Sequence, residues 1–448
     1  MDSKTRPLHV LFFPLMSQGH LIPMIDVAKL FALRAGVHVS IVTTPLNAAQ
    51  IQSTIDRTTR FSGHHPITIH LLQFPSIEAG LPIGVENFDS FTREQTGIAF
   101  TKALPLLHHP FEQLVEQHCP DCIISDMFFP WTVDVAAKFN VPRLVFHGTS
   151  FFAVCVGDSI ERYKPHEGVA TETEPFLVPK LPHPIETTRS QLPDFLKTRT
   201  PFTEMMERVQ ESINQSYGVV MNSFYELEPD YVKHYREEVR GSIKAWHIGP
   251  VSLCNKDQID MAERGKKAFI DPTQCTDWLG SREPGSVLYV CFGSLCQLSG
   301  AQLMEIAVAL EASGRPFIWV VKNTDRMEEE WTPDGFEERM KGKGLIIREW
   351  APQFFNEKLV TRVLGIGVDL GAHVWAESKE KEKKHVMGSE EIERAVAQLM
   401  GGGDEADERR RRARELGEMA KKAVEKGGSS CMDFDRLIEE LKEVRTKA

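Results

Sequence analysis

Val10-Leu11-Phe12-Phe13-Pro14-Leu15-Met16-Ser17-Gln18-Gly19-His20 is the stretch on which the reading of this chain turns. Val10 to Phe13 is a short apolar run of the kind buried on both faces of a parallel sheet. Pro14 ends it, and a loop runs to Gly19, where glycine permits unusual backbone angles. Leu21, Met24, Ala28 and Phe31 then recur at helical spacing. Strand, glycine-bearing loop and helix N-terminus make the anion-binding corner of an α/β protein. His20 stands at that corner, where an imidazole can take a proton from a bound ligand. The plainer reading, a histidine near a helix start without chemistry, stands beside it.

At 448 residues the chain exceeds one ordinary core, so two or more domains are expected. A hydrophobic share of 42% and a charged share of 26% are those of a soluble globular protein. A net charge of −11 argues against general nucleic-acid binding. No apolar run reaches transmembrane length. Pro7, His9 and Pro14 interrupt the N-terminal apolar segment, so no signal peptide is expected and the cytoplasm is the default location. Eight scattered cysteines fit reduced thiols. Cys119 and Cys122 form a C-x-x-C, but no second pair stands at zinc spacing, and Cys291 and Cys296 do not supply one. Buried or incidental thiols are expected, without a metal.

Along the chain, strands are expected at Val37 to Thr44, ended by Pro45, and at Ile67 to Leu72, Asp121 to Asp126 and Val141 to Phe146. Phe91 to Glu116 holds one or two helices. This β-α-β-α order implies a parallel, doubly wound sheet. Asp126 closes its strand on the rim where ligands sit in such sheets, the rim that also carries His20. A carboxylate there can orient an imidazole, and it can equally cap the helix starting near Trp131. His147 to Ser150 forms another loop on this rim, with hydroxyls that bind a ligand or cap the next helix. Residues 157–200 read as a variable binding wall. Helix is expected at Phe202 to Ser216 and strand at Gly218 to Asn222.

The polar stretch from Ile248 to about Lys267 suits an interdomain linker. A second α/β unit follows: strand Ser286 to Phe292, turn Gly293-Ser294, helix Gln302 to Ser313, strands Phe317 to Val321 and Leu345 to Arg348, then Trp350-Ala351-Pro352-Gln353. Gly293-Ser294 suits a phosphate, and Trp350 can stack on a flat base or pack as core. Asn356 to Leu364 is expected as a helix. Gly365 to Gly371 superficially resembles a dinucleotide fingerprint but is placed at a helix-to-strand transition, which argues against a nicotinamide-dependent oxidoreductase, a class with no other support in the sequence. Helices are expected at Ser389 to Met400, at Ala406 to Glu425, ended by Gly427 to Ser430, and at Phe434 to Val444. Arginines 409 to 412 stand near Asp404, Glu405 and Glu408 and read as a salt-bridged surface.

Taken together, these elements resemble the plant UDP-glycosyltransferases that glucosylate small secondary metabolites, nearest the branch acting on flavonoids, coumarins and triterpenoids. The carriers are Phe13-Pro14 with Ser17 to His20, Ser125 to Phe128, Phe146 to Phe152, Leu288 to Ser294, and Trp350 to Gln353. The resemblance covers nearly the whole chain. It implies the GT-B arrangement: two Rossmann-like doubly wound α/β domains facing a cleft, with the last helix crossing back. The implied boundaries are 1–246 for acceptor binding, 247–267 for the linker, 268–430 for the sugar nucleotide and 431–448 for the crossing helix. By resemblance His20 is the general base and Asp126 its partner. Gly19, Gly293, Ser294, Trp350, Ala351 and Gln353 bind the UDP-sugar, with Ser294 on the diphosphate, Trp350 on uracil and Ala351 on the base edge. UDP-glucose is implied as co-substrate, with a small-molecule acceptor, no metal, no cofactor, no membrane insertion and a monomeric state.

The chain departs from the family at one point. There, Trp-Ala-Pro-Gln opens a signature that runs through His-Cys-Gly-Trp-Asn-Ser and an acidic residue and glutamine before Phe-Phe-Asn-Glu-Lys. Here Gln353 passes straight to Phe354-Phe355-Asn356-Glu357-Lys358. Roughly forty residues are absent, more than a βαβ unit, so the second domain is expected to be truncated. The missing stretch holds the residues that grip diphosphate, ribose and sugar in the family. Gln353 matches either edge of the gap. Two readings follow: a UDP-glycosyltransferase acting by inversion, or a catalytically dead acceptor-binding remnant or mis-spliced product of such a gene.

Overall fold

A computed structural model describes residues 6–62, 66–88, 94–239, 243–256, 272–292, 298–321, 331–348, 358–370 and 386–447. In order, β1 (Leu8–Phe13), α1 (Gln18–Ala32), β2 (Val37–Thr43), α2 (Pro45–Ser62), β3 (Thr68–Leu71), α3 (Glu94–Ala103), α4 (His108–His118), β4 (Cys122–Asp126), α5 (Thr132–Lys138), β5 (Arg143–His147) and α6 (Phe151–Tyr163) open the chain. The hairpin β6 (Pro175–Leu177) and β7 (Glu186–Thr188) follows, then α7 (Asp194–Lys197), α8 (Pro201–Asn214), β8 (Gly218–Met221), α9 (Pro229–His234) and β9 (Lys244–His247). The remainder holds α10 (Pro272–Gly280), β10 (Leu288–Val290), α11 (Gly300–Ser313), β11 (Phe317–Val321), α12 (Phe336–Arg339), β12 (Gly344–Arg348), α13 (Ser389–Met400), α14 (Asp404–Val424) and α15 (Ser429–Lys447).

The chain divides into two compact units: Met1–Val154, Pro201–Lys266 and Glu418–Ala448 form one, Cys155–Thr200 and Lys267–Gly417 the other. The first is built on seven strands in the order β3-β2-β1-β4-β5-β8-β9, every pair parallel. The order reverses between β1 and β4, where a doubly wound sheet opens a crevice at its strands' C-terminal ends. All six residues of β1 are buried, as a central parallel strand requires. Leu8, Val10 and Phe12 face one core with α1, Phe31 and, from α15, Phe434, Leu437, Ile438 and Leu441. Leu11 and Phe13 face the other, where Phe13 stacks between Phe111 and Phe129. Each such fully buried side chain contributes about 1.5–3 kcal/mol.

Asp433 ties α15 to the sheet. It is 1% exposed and accepts from the His247 backbone N–H at 3.0 Å and from Arg236 Nη2 at 3.0 Å. Desolvation opposes its charge, yet the His247 and Arg236 contacts hold its carboxyl below the usual range.

A histidine cluster sits on the α4 side of the sheet. The rings of His9 and His38 lie 4.6 Å apart, and those of His70 and His118 lie 4.1 Å apart. Ser40 Oγ lies 2.8 Å from His9 Nε2 and 3.2 Å from His70 Nε2. One hydroxyl can donate to one ring and accept from the other, which suits neutral imidazoles. Burial first, then neighbouring histidines, pull His9 and His70 down to about 4. Their unfolded forms bind a proton near 6.5, so between 6.5 and about 4 the unfolded chain holds more protons than the folded one. Stability from these groups is therefore complete above 6.5 and is lost as pH falls. We expect the urea midpoint to drop steadily from pH 7 to 4.5, and His70→Gln to flatten that slope. Equal slopes for the two proteins would remove the cluster as the cause.

The second unit carries a three-stranded parallel sheet, β10-β11-β12, among the described residues. Its core gathers Leu303, Ile306 and Leu310 of α11 with Phe317, Trp319 and Val321 of β11. Gln302 clamps residue 387 through both amide atoms, at 3.0 and 2.8 Å, which fixes the entry to α13. At Gly344 a Cβ would come 2.3 Å from the Phe317 ring, so β12 needs glycine there. The arginines of α14 pair as the sequence suggests: Arg410 with Asp407 at 2.6 Å, Arg411 and Arg412 with Glu408 at 2.7 Å.

Several expectations need correction. Pro45 opens α2 instead of only closing β2; proline's missing N–H is harmless at a helix's first position. Of the Asn356 to Leu364 helix expected, residues 358–363 are helical, in a wide five-residue turn from Leu359 to Val363, and Asn356 and Glu357 lie outside the described residues. Residues 365–370 hold no strand, and Gly371 with the residues after it lies outside the described residues, so the expected helix-to-strand transition is not tested there. Ser429 and Ser430 begin α15 and do not end α14. Cys122 is fully buried with its thiol pushed up, and no metal-holding group of His, Cys, Asp or Glu occurs among the described residues.

Candidate active site

Ser17, in extended conformation at φ −146°, is the residue from which α1 starts. Its carbonyl accepts the His20 and Leu21 N–H groups at 3.0 and 2.7 Å. His20 is thus not in a loop but in the first helical turn, seven residues past the end of β1. Gly19 lies in that turn too, outside the positive-φ glycines, so its backbone freedom is not what the site uses. The first turn of α1 carries no acidic side chain, and its positive end suits an anion.

Asp126 is the last residue of β4. The pairing of Phe13 with Ser125 sets the ends of β1 and β4 level, at the point where strand order reverses. There His20 Nδ1 lies 2.7 Å from Asp126 Oδ2, across 106 residues of sequence. Asp126 is fully buried while the His20 side chain is 33% exposed. The other carboxylate oxygen accepts the Phe128 N–H at 3.0 Å, which fixes its plane. Helix α5 starts with Trp131 at its cap and no side-chain cap bond, so the capping role weighed for Asp126 is excluded. With Nδ1 on the carboxylate, the ring is held in the tautomer that places Nε2 to receive a proton. Phe128 stands beside it, ring centroids 5.6 Å apart, an apolar wall next to a base.

The neighbouring loop has a different use. Ser150 Oγ accepts the Ala153 N–H at 3.2 Å and caps α6, the duller of its two expected roles. The Glu228 carboxylate takes the Phe151 and Phe152 N–H groups at 3.0 and 2.7 Å. Burial pushes this carboxyl up against those bonds. The α6 terminus thus already holds a carboxyl group of the chain's own. Gly148 packs near the Gly19 carbonyl, which a Cβ would approach to 3.7 Å.

Of the other expected site residues, Gly293, Ser294, Trp350, Ala351 and Gln353 lie outside the described residues, as does the Gln353–Phe354 junction. Sequence reasoning missed Arg143, 2% exposed behind Asp126. Its signal was a charge at the head of an apolar strand.

No protein-family profile matches the chain. A scopoletin glucosyltransferase of Nicotiana tabacum is 46% identical, over 97% of this chain and 98% of that protein. A UDP-glucose flavonoid 3-O-glucosyltransferase 7 of Fragaria ananassa is 44% identical, over 99% and 98%. The latter alignment spans 490 positions, more than the 448 residues here, so some positions of that relative have no counterpart in this chain. Among solved structures, Glycyrrhiza uralensis UGT73P12 complexed with glycyrrhetinic acid 3-O-monoglucuronide superposes with a TM-score of 0.90 at 39% identity, over 98% of this chain and 97% of that one. Arabidopsis thaliana UGT89C1 complexed with UDP gives 0.71 at 27% identity, over 97% and 100%. The two solved structures share this chain's fold over nearly the whole of each chain.

Proposed function

The chain belongs to the plant UDP-glycosyltransferases, and from that premise we propose that it moves glucose from UDP to a hydroxyl of a small phenolic metabolite with inversion. His20 Nε2 takes the hydroxyl proton, the oxygen attacks the anomeric carbon, and the bond to UDP breaks. Asp126 holds the ring and balances the imidazolium that results. A phenol, with a pKa near that of tyrosine at about 10, is within reach of an imidazole base. The observation that carries this reading is the 2.7 Å contact between His20 and buried Asp126 at the sheet's reversal point. On the donor side, Gly293, Ser294, Trp350, Ala351 and Gln353 are proposed contacts, together with Gly19. No metal or cofactor is invoked, because helix ends and hydroxyls suffice to hold a diphosphate. The acceptor unit is taken as 1–246, the linker as 247–267, the donor unit as 268–430 and the returning helix as 431–448. A cytoplasmic monomer is the accompanying reading; among the described residues no helix is long and apolar enough to cross a membrane.

A second reading concerns the donor half. The sequence junction Gln353-Phe354 and the 490-position alignment support a missing signature segment. Incubation with UDP-glucose and a panel of flavonoids and coumarins tests both readings. Glucoside from the chain as it stands supports the first. Glucoside only after the segment is restored supports a donor-deficient chain with an intact acceptor side. No glucoside from either protein would refute the proposed function.

A further inference from the structure

Arg143 opens β5 with its guanidinium inside the protein, 2% exposed. Its Nε donates to Ser125 Oγ at 2.9 Å, its Nη1 to Ser216 Oγ at 2.8 Å, and its Nη2 to the Asp126 carbonyl at 3.4 Å. Ser125 Oγ also lies 2.8 Å from Thr132 Oγ1 of α5. From α8, the Ser212 carbonyl stands 3.4 Å from Nη1. The groups around the guanidinium from β4, α5, α8 and the residues after it are thus hydroxyls and carbonyls, and the charge acting on it is that of Asp126. Burial pulls Arg143 down to about 9 while Asp126 raises it, so it is still a cation at neutral pH.

A buried cation without a partner costs several kcal/mol, and so does a buried anion. Here each offsets the other. The consequence falls on His20. With Arg143 charged, the set Arg143, Asp126 and His20 is neutral overall when His20 is neutral, and protonating His20 leaves one carboxylate shared between two cations, which weakens but does not abolish the support Asp126 gives the imidazolium. Without Arg143 the same protonation would neutralise Asp126 and be favoured.

We propose that Arg143 is a positioning residue for the His20–Asp126 pair: its guanidinium anchors the end of β4, balances the Asp126 carboxylate and keeps His20 in its neutral, proton-accepting form. This deepens the reading of His20 as a base and rests on it. The test is a titration of the full chain labelled in histidine, with the His20 ring signal assigned by its loss in His20→Gln.

Arg143→Gln keeps hydrogen-bonding groups and removes the charge; its His20 midpoint moves to higher pH by about one unit, a tenfold gain in proton affinity. Arg143→Lys returns it toward the parent value. Ser216→Ala, which loosens the anchor but leaves the charge, does not move it. An unmoved midpoint in Arg143→Gln, or an equal move in Ser216→Ala, overturns the proposal. Should Arg143→Gln not fold, Asp126→Asn reports the same coupling. It leaves Arg143 uncompensated and lowers the urea midpoint, and an unchanged midpoint overturns the proposal. These readouts need no sugar transfer, so a chain that transfers nothing fails the functional reading alone. A chain that transfers sugar but shows no effect of Arg143→Gln fails this one alone.

Discussion

Replacing His20 by alanine lowers kcat for glucosyl transfer by about 10²–10⁴-fold, the usual contribution of a positioned general base. The acceptor's KM changes little, because the imidazole acts on a proton that moves only in the transition state. The replacement is tolerated by the fold: the His20 side chain is one-third exposed, in the first turn of α1, and fills no core position. Steady-state kinetics with one phenolic acceptor provide the measurement, in whichever background turns over, the chain itself or the chain with its signature segment restored. A drop below tenfold would remove His20 from the chemistry. Asp126→Asn should also cost activity, because an amide can present its N–H to Nδ1 and favour the wrong tautomer.

The second large effect concerns the donor. Placing the family's signature segment between Gln353 and Phe354 should tighten UDP binding by at least about a hundredfold. Two charge-assisted phosphate contacts at the low end, about 1.5 kcal/mol each, already give that factor. Calorimetry with UDP, which needs neither acceptor nor turnover, measures it. Equal affinity with and without the segment would show that the chain grips UDP by other means, and would return the donor half to the status of a complete site.

Length and burial govern which elements are legible in the sequence. β1, β4, β5, β8 and β11 are apolar runs buried over their whole length, and each stands out against its flanks. β9, Lys244–His247, was not legible: four residues long, at the sheet's edge, with a lysine and a histidine among them. Helix α2 was hidden by its polarity and by a proline read as a stop. The pairing of His20 with Asp126 followed from one topological rule, that ligands gather at strand ends, and not from anything local to either residue. Arg143 escaped because a charge heading an apolar strand reads as a boundary; only the fold shows the guanidinium turned inward. Ser150 and Glu228 show the reverse case, in which a rim that looks ready for ligand is already satisfied from within.

The place of α15 bears on how the protein comes into being. Phe434, Leu437, Ile438 and Leu441 complete a core whose other walls are β1, β2 and α1, and Asp433 pins the helix to β9. The part of this core that leaves the ribosome first therefore keeps an apolar groove uncovered until α15 has been made. A chain released before α15 is made leaves that core open on one side.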